Sequence, residues 1–530
     1  MDGYKAKEFT KSEVIPSATE TSLLQNDNTD CLLTPLSSNH GDADKSTEFE
    51  DSEPSFKDAF YQIIVCCIVS FTVLQAGFVM AFSSVFLEQL DVDTNYDLNK
   101  EENSWIASLP VLTTPIGSLI CGPLMDKVGR KAGILVSCFT SFIGWILLLF
   151  VTPQLYMPLI VLARILGGLG GGMTTIALIY IPEVCHEKYR PMMLGTNSML
   201  VSLGILLVTI TGYFMKWKMM AFEFCIVILV NMIVLWIYMP ESPVWLLTIK
   251  KNREQAESTL RLLNPNEKVF DAQLTCLNKL ARSRTEGPPD ENGTPLSKKL
   301  KLLLHVFFSP PAKQPLLILI GLLFLQQTCG GYTIIVYTIQ VFKKLGTDFE
   351  GGLDEYTALL LMGVLRFVFS IITAAASQII GRRPLLLFSA LGMALSSIAV
   401  PLYNYIEVGN SSKLADVQWP VIFALVFVSF TALGIMNIPW SLIGELLPTN
   451  IRGTASGFLV ALAYTSMFFL VKLYPYLLDT FDINKLFLIQ GVLCIFTALY
   501  VYIFVPETLG KSLHSIQEHF YSKRERTAKC

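Results

Sequence analysis

Twelve apolar stretches long enough to cross a bilayer run along the chain. They lie at about 60–82, 105–125, 132–151, 157–181, 194–215, 221–239, 315–342, 356–380, 384–406, 419–447, 453–478 and 483–505. A bilayer core about 30 Å thick needs about 20 apolar residues of helix, because no water is present there to satisfy an open backbone. The stretches therefore predict an all-α membrane protein with twelve transmembrane helices. Charged residues make up 16% of the chain, against about 25% in a soluble domain. The net charge of −3 points to no nucleic acid partner; the partner implied is the lipid bilayer.

A polar stretch divides the spans into six plus six. The predicted units are a disordered tail (1–56), a six-helix bundle (57–245), a helical linker (246–313), a second six-helix bundle (314–508) and a C-terminal tail (509–530). Lys250, Lys251, Arg253, Lys298, Lys299 and Lys301 flank the linker, and Lys511, Lys523, Arg524 and Arg526 follow the last span. Lys and Arg mark the inner side, so the linker and both termini are expected in the cytoplasm. In the linker, Ala256, Leu260 and Leu263 recur at helical spacing among charges, which predicts an amphipathic helix under the membrane domain. The polar N-terminus has no secretory signal, and none of the eleven cysteines falls in a loop placed outside, so free thiols are expected. Two leucine pairs in the tail, Leu23-Leu24 and Leu32-Leu33, resemble sorting signals with imperfect spacing to their acids.

Three charged marks recur in the same order in both halves. Asp126-Lys127-Val128-Gly129-Arg130-Lys131 follows the second span, and Gly381-Arg382-Arg383 follows the eighth. Glu183 precedes Arg190 by seven residues, as Glu445 precedes Arg452. "PESP" with Glu241 follows the sixth span, and "PET" with Glu507 follows the twelfth. Such internal repetition is how many secondary transporters are built, with two bundles rocking about a central site. Asp126, Arg130, Glu183, Arg190, Glu241, Arg382, Arg383, Glu445, Arg452 and Glu507 are thus expected to gate the cytoplasmic face. They would pair when it closes and part when it opens.

These marks, with "YIPEVCHEKYR" (180–190), "QQTCGGYTIIVY" (326–337), "NIPWSLIGELLPTNIRG" (437–453) and "PETLGKSL" (506–513), resemble those of a sugar porter of the major facilitator superfamily. The resemblance covers about 57–520 and implies a facilitative sugar transporter without a cofactor, working as a monomer. Arg366 in the eighth span, Lys472 in the eleventh and a short first outer loop (about 88–103) resemble the insect facilitated trehalose transporters and the class III glucose transporters. That branch also has a sequon in the ninth loop; here it is Asn410-Ser411-Ser412, placed outside, where glycosylation is expected.

A sugar site needs amides that donate and accept, beside an aromatic platform. By resemblance, Gln326 and Gln327 contact sugar hydroxyls, Trp440 stacks on the ring, and Tyr337 lies at the outer gate. The family's Asn is Tyr332 here, its fifth-span Gln aligns with Ser198, an Asn of the eighth span is Arg366, one of the eleventh falls near Ala463, and its "GPIPW" contains Asn437. The cargo is then a disaccharide such as trehalose, or a hexose such as glucose in a site rebuilt around Tyr332 and Asn437. Another polyol and a non-transporting sugar sensor are the alternatives. Arg366 either binds substrate hydroxyls or pairs with polar groups between helices.

Proton-coupled relatives carry an acid after "GY" in the first span. Gly77-Phe78-Val79-Met80 has none there, so passive movement is expected. The glycines at 167–168 and 170–172 suit close helix packing, and no Lys-Ser/Thr pair follows to make a phosphate loop. An enzyme is not expected, since His40, His186, His305, His514 and His519 are scattered and no metal-ligand cluster occurs. The plasma membrane is the expected location, with an endosomal or lysosomal membrane as the alternative.

Overall fold

The computed structural model describes residues 56–96, 98–186, 189–286, 310–345, 354–377, 379–409, 419–447 and 452–509. Asn410 and both leucine pairs lie outside them, as does the Arg452 side chain. The first six membrane-length helices are Ala59–Val92, Lys100–Val128, Arg130–Leu149, Tyr156–Val184, Met192–Phe214 and Trp217–Tyr238. The second six are Lys313–Val336, Glu355–Ala376, Arg382–Ile406, Trp419–Leu446, Ala455–Thr480 and Ile483–Phe504. No strand occurs among the described residues.

The first span runs ten residues beyond its predicted end at 82. Phe82, Val85, Phe86 and Leu90 are fully buried there, so packing carries the helix past the polar Glu88 and Gln89. The second span starts at Lys100, where Asn99 and Glu102 form a reciprocal capping box. The first outer loop shrinks to about 93–99 instead of 88–103.

Four spans are interrupted, and they are the first, fourth, seventh and tenth. A 3-10 turn at Phe71–Val73 breaks the first, and Thr174 separates the two helices of the fourth. The seventh breaks between Thr328 and Gly331, and the tenth between Leu433 and Ile438. Gly330 has φ +86°, a left-handed conformation that favours glycine. These four spans are 61 to 72% buried, and no other exceeds 56%. Broken backbone at membrane depth is tolerated only where protein or a cavity covers it, and the period of three fits bundles made of repeated helix triplets.

Small residues set the close approaches. A Cβ on Gly168 would fall 2.3 Å from Pro110 O, and one on Gly172 would fall 2.1 Å from Thr114 O. The glycine run is thus the seat of the fourth span on the second. The bundles meet where the second span packs on the eleventh, the fifth on the eighth, and the first on the helices following Gly330.

The linker adds helices Pro243–Thr248, Arg253–Leu263 and Glu267–Glu286. Ala256, Leu260 and Leu263 are buried, as their spacing predicts. Gln62 of the first span donates to Leu263 O (3.2 Å) and Asn264 Oδ1 (2.7 Å), fastening the linker beneath its own bundle.

Candidate functional site

The breaks of the seventh and tenth spans face each other. Ending one helix at Leu433 frees carbonyls, and Gln326 Nε2 donates to two of them, Ile435 O (2.8 Å) and Met436 O (3.1 Å). Gln327 is equally buried, but its Oε1 has no partner among the described residues. Across the Gly330 turn, the Tyr332 hydroxyl accepts from the Trp440 indole N–H at 3.2 Å. The Trp440 ring lies 5.7 Å from that of Tyr464, a residue that sequence reasoning did not single out. Arg366 is buried with Nη1 against Met436 Sδ and Nε unpaired among the described residues. Gln326, Gln327, Tyr332, Trp440 and Arg366 thus form one cluster of aromatic faces and partly unpaired polar groups.

Three expected site residues stand apart from it. Asn437 turns its amide onto Ala432 O (2.8 Å) and holds the broken turn of its own span. Ser198 lies near the linker end of the fifth span, and its hydroxyl makes no hydrogen bond among the described residues. Tyr337 is buried, donates to Val471 O at 3.0 Å and stacks on Tyr474. At mid-depth, a cavity of about 30 Å³ between the bundles is lined by Val79, Met80, Val111, Gly171, Val336 and Tyr464 among others. That is room for about one water, so a sugar requires the bundles to move.

On the linker face, the repeated charges close two matching clamps. Arg130 donates to both carboxylate oxygens of Glu183 (2.9 and 2.8 Å) and lies 3.3 Å from Asp126. Arg382 reaches Glu445 at 2.9 Å. Glu241 accepts from the backbone N–H of Arg130 (2.8 Å) and Lys131 (3.2 Å), and Glu507 does the same for Arg382 (3.0 Å) and Arg383 (3.1 Å). Each carboxylate therefore caps a span at its N-terminus, where the helix dipole favours an anion. Burial pushes the Glu507 carboxyl up, but N–H groups of Leu509, Arg382, Arg383 and Thr508 outweigh it and hold the group below its ordinary range.

Every clamp contact just given lies within one bundle, so the pairs tie spans into rigid units without bridging the halves. Arg190 donates to Cys185 O (3.4 Å), and Arg383 to Tyr502 O, again in their own bundles. The inner halves of the fourth and tenth spans, Thr175–Val184 and Ile438–Leu446, likewise pack on helices of their own bundle.

The far face is different, because there the contacts cross. Lys343 of the second bundle meets Glu88 of the first at 2.5 Å. Asp479 pairs with Lys100 across the interface and with Lys344 (3.3 Å) on its own side. Lys472 lies 4.0 Å from the centre of the Trp105 ring, and Ser104 donates to its carbonyl (2.7 Å). Lys343 is outside the spans; burial lowers its pKa, but the Glu88 carboxylate prevails and holds it above the lysine range. Sequence reasoning placed no functional charge at Glu88, Lys100, Lys343, Lys344 or Asp479.

Two six-helix bundles, interrupted central spans and matched clamps define a carrier of the major facilitator type. The sequence profile described as sugar (and other) transporter matches residues 65–520, and the chain belongs to that family. It is a multi-pass membrane transporter of sugars. Facilitated trehalose transporter Tret1 of Culex quinquefasciatus is 27% identical over 473 residues, covering 88% of this chain and 87% of the relative. Tret1 of Bombyx mori is 28% identical over 457 residues, 86% of each. The proton:xylose symporter XylE bound to 6-bromo-6-deoxy-D-glucose superposes with a TM-score of 0.69 at 22% identity, covering 88% of this chain and all of that one. An inward open XylE from E. coli gives 0.68 at 21% identity, covering 87% and 100%.

Proposed function

We propose that the protein moves a sugar passively by alternating access, with trehalose and hexoses such as glucose as cargo. The observation that carries the reading is the asymmetry of the two faces. Cross-bundle ion pairs lock the far face, while Arg130–Glu183 and Arg382–Glu445, the clamp pairs among the described residues, stay inside their own bundles. With the linker and both termini in the cytoplasm, as Lys and Arg indicate, the latched face is the outer one. Gln326, Gln327, Tyr332, Trp440 and Arg366 form the sugar site, with Gln327 Oε1 accepting from a substrate hydroxyl. Passive movement is supported by the mid-depth cavity, whose lining residues include no carboxylate. The names of the Tret1 relatives support trehalose. The transporter works as a monomer in the plasma membrane.

Uptake of labelled trehalose, sucrose and glucose into oocytes tests the cargo. Trehalose or glucose is expected to equilibrate without concentrating, and an imposed pH gradient is expected to drive no accumulation. Absence of flux by surface-expressed protein favours a sensor; proton-driven accumulation refutes passive transport.

A further inference from the structure

A second cavity, of about 270 Å³, lies at the far face, directly above the buried Tyr337. Its walls come from both bundles. The outer end of the first span and the start of the second supply Asp91, Lys100 and Asn103; the other bundle supplies Gln340, Lys344 and Asp479. At about 30 Å³ per water, it holds about nine waters, so a small polar solute fits where the mid-depth cavity admits none.

The lining selects the class of solute. Two carboxylates and two ammonium groups cancel, which favours neither an anion nor a cation. Asn103 and Gln340 face the cavity from opposite bundles, and neither side-chain amide makes a hydrogen bond among the described residues. In this rotamer Asn103 Oδ1 is turned out of solvent reach and has no partner among the described residues, so the amide gains a hydrogen bond only by turning toward the cavity. Rotating that amide about its last torsion presents either its donor or its acceptor. Leu98, Pro475 and Leu478 add an apolar side. Unpaired amides beside an apolar wall, with no net charge, suit a neutral polyhydroxylated ring.

We propose that this cavity is an outer sugar subsite, separate from the central cluster and assembled only while the far face is closed. It rests on the reading that sugar is the cargo. Because its walls belong to both bundles, a sugar bound there stabilises the closed far face and opposes its reopening. External sugar then acts twice: it is carried at low concentration and slows its own uptake at high concentration.

The test is initial uptake of labelled trehalose by oocytes expressing the full chain, over a wide external range, with surface protein measured by biotinylation. The wild type is expected to pass through a maximum and fall at least twofold at the highest concentrations. Asn103→Leu and Gln340→Leu, made separately on opposite bundles, are expected to saturate without the fall and to keep KM within about twofold. Gln326→Ala is expected to raise KM and leave the inhibitory limb in place. Simple saturation by the wild type, or a fall that survives in both leucine variants, overturns the subsite while leaving sugar transport standing. Absence of trehalose flux in every surface-expressed form overturns the transport reading and the subsite with it.

Discussion

Gln326 and Gln327 are adjacent, yet the structure gives them separable tasks. Gln326 ties the seventh span to the broken tenth through two carbonyls, whereas Gln327 Oε1 has no partner among the described residues. Gln327→Ala should therefore spare folding and raise KM by about tenfold, the value of about one hydrogen bond to substrate in a dry site. Uptake kinetics beside a thermal melt of the purified protein check this, and Gln326→Ala should raise KM and lower Tm together. Gly129 is constrained in another way. Its φ of +100° and ψ of +167° lie in a region almost confined to glycine, and a Cβ there would stand 2.4 Å from Glu241 Oε2. Gly129→Ala should destabilise the protein by about 1–3 kcal/mol, read as a lower Tm in detergent. The sequence displays both glutamines, the tryptophan and the repeated Gly-Arg, because buried amides and charges beside apolar runs stand out locally. It hides Glu88 and Lys343, 255 positions apart, since each alone is an ordinary charge at the end of a span. Asn437 shows the opposite limit: its identity suggests substrate contact, but the backbone freed by the tenth-span break claims its amide first.

At the scale of elements, hydropathy counts the spans because each must bury its own backbone hydrogen bonds, and packing then moves their ends. The breaks in the seventh and tenth spans are announced by Cys329-Gly330-Gly331 and by Pro439. Those at Phe71–Val73 and Thr174 carry no such signal, since neither needs a left-handed residue. The clamps fix how the elements join, and their energetics are asymmetric. The Arg130 side chain is only 6% exposed and keeps only the more exposed Asp126 at 3.3 Å, so Glu183→Ala leaves a poorly compensated cation and should cost about 3 kcal/mol. Replacing both partners by apolar residues of similar volume should cost far less, and thermal melts of the three variants test that order. The second clamp predicts a pH dependence. Because the folded pKa of Glu507 is depressed, its stabilisation is complete above the ordinary glutamate value of about 4.3 and is lost as pH falls through the folded value. Glu507→Gln should lower Tm at neutral pH and remove part of the acid-side decline seen in the wild type.

The whole molecule works as a two-state device only if each face can be held and released at modest cost. The far face is held by contacts between bundles, so weakening them should move the population toward far-face opening without harming either bundle. Glu88 and Lys343 form the most direct test: their side chains are 7% and 36% exposed, and Glu355 at 3.9 Å still accompanies Lys343 when Glu88 is neutralised. A partly exposed pair contributes up to about 1 kcal/mol, a factor of about five in the ratio of the two states. Val111, which lines the mid-depth cavity, supplies a reporter: a Val111→Cys variant labelled from outside by a membrane-impermeant thiol reagent reads the open fraction. In an otherwise wild-type background labelling should be slow. Glu88→Gln should speed it by up to about fivefold, and the double reversal Glu88→Lys with Lys343→Glu should slow it again. The lysine side of the latch is present in full below the ordinary lysine value, about 10.4, and lost only as pH rises through the raised folded value. Once the intrinsic rise in thiolate reactivity is divided out with a freely exposed cysteine, labelling should therefore not accelerate between neutral pH and pH 9. Equal rates for Glu88→Gln and its parent would show that the pair holds nothing shut, and the bias toward a closed far face would then rest on the packing of the second span against the eleventh.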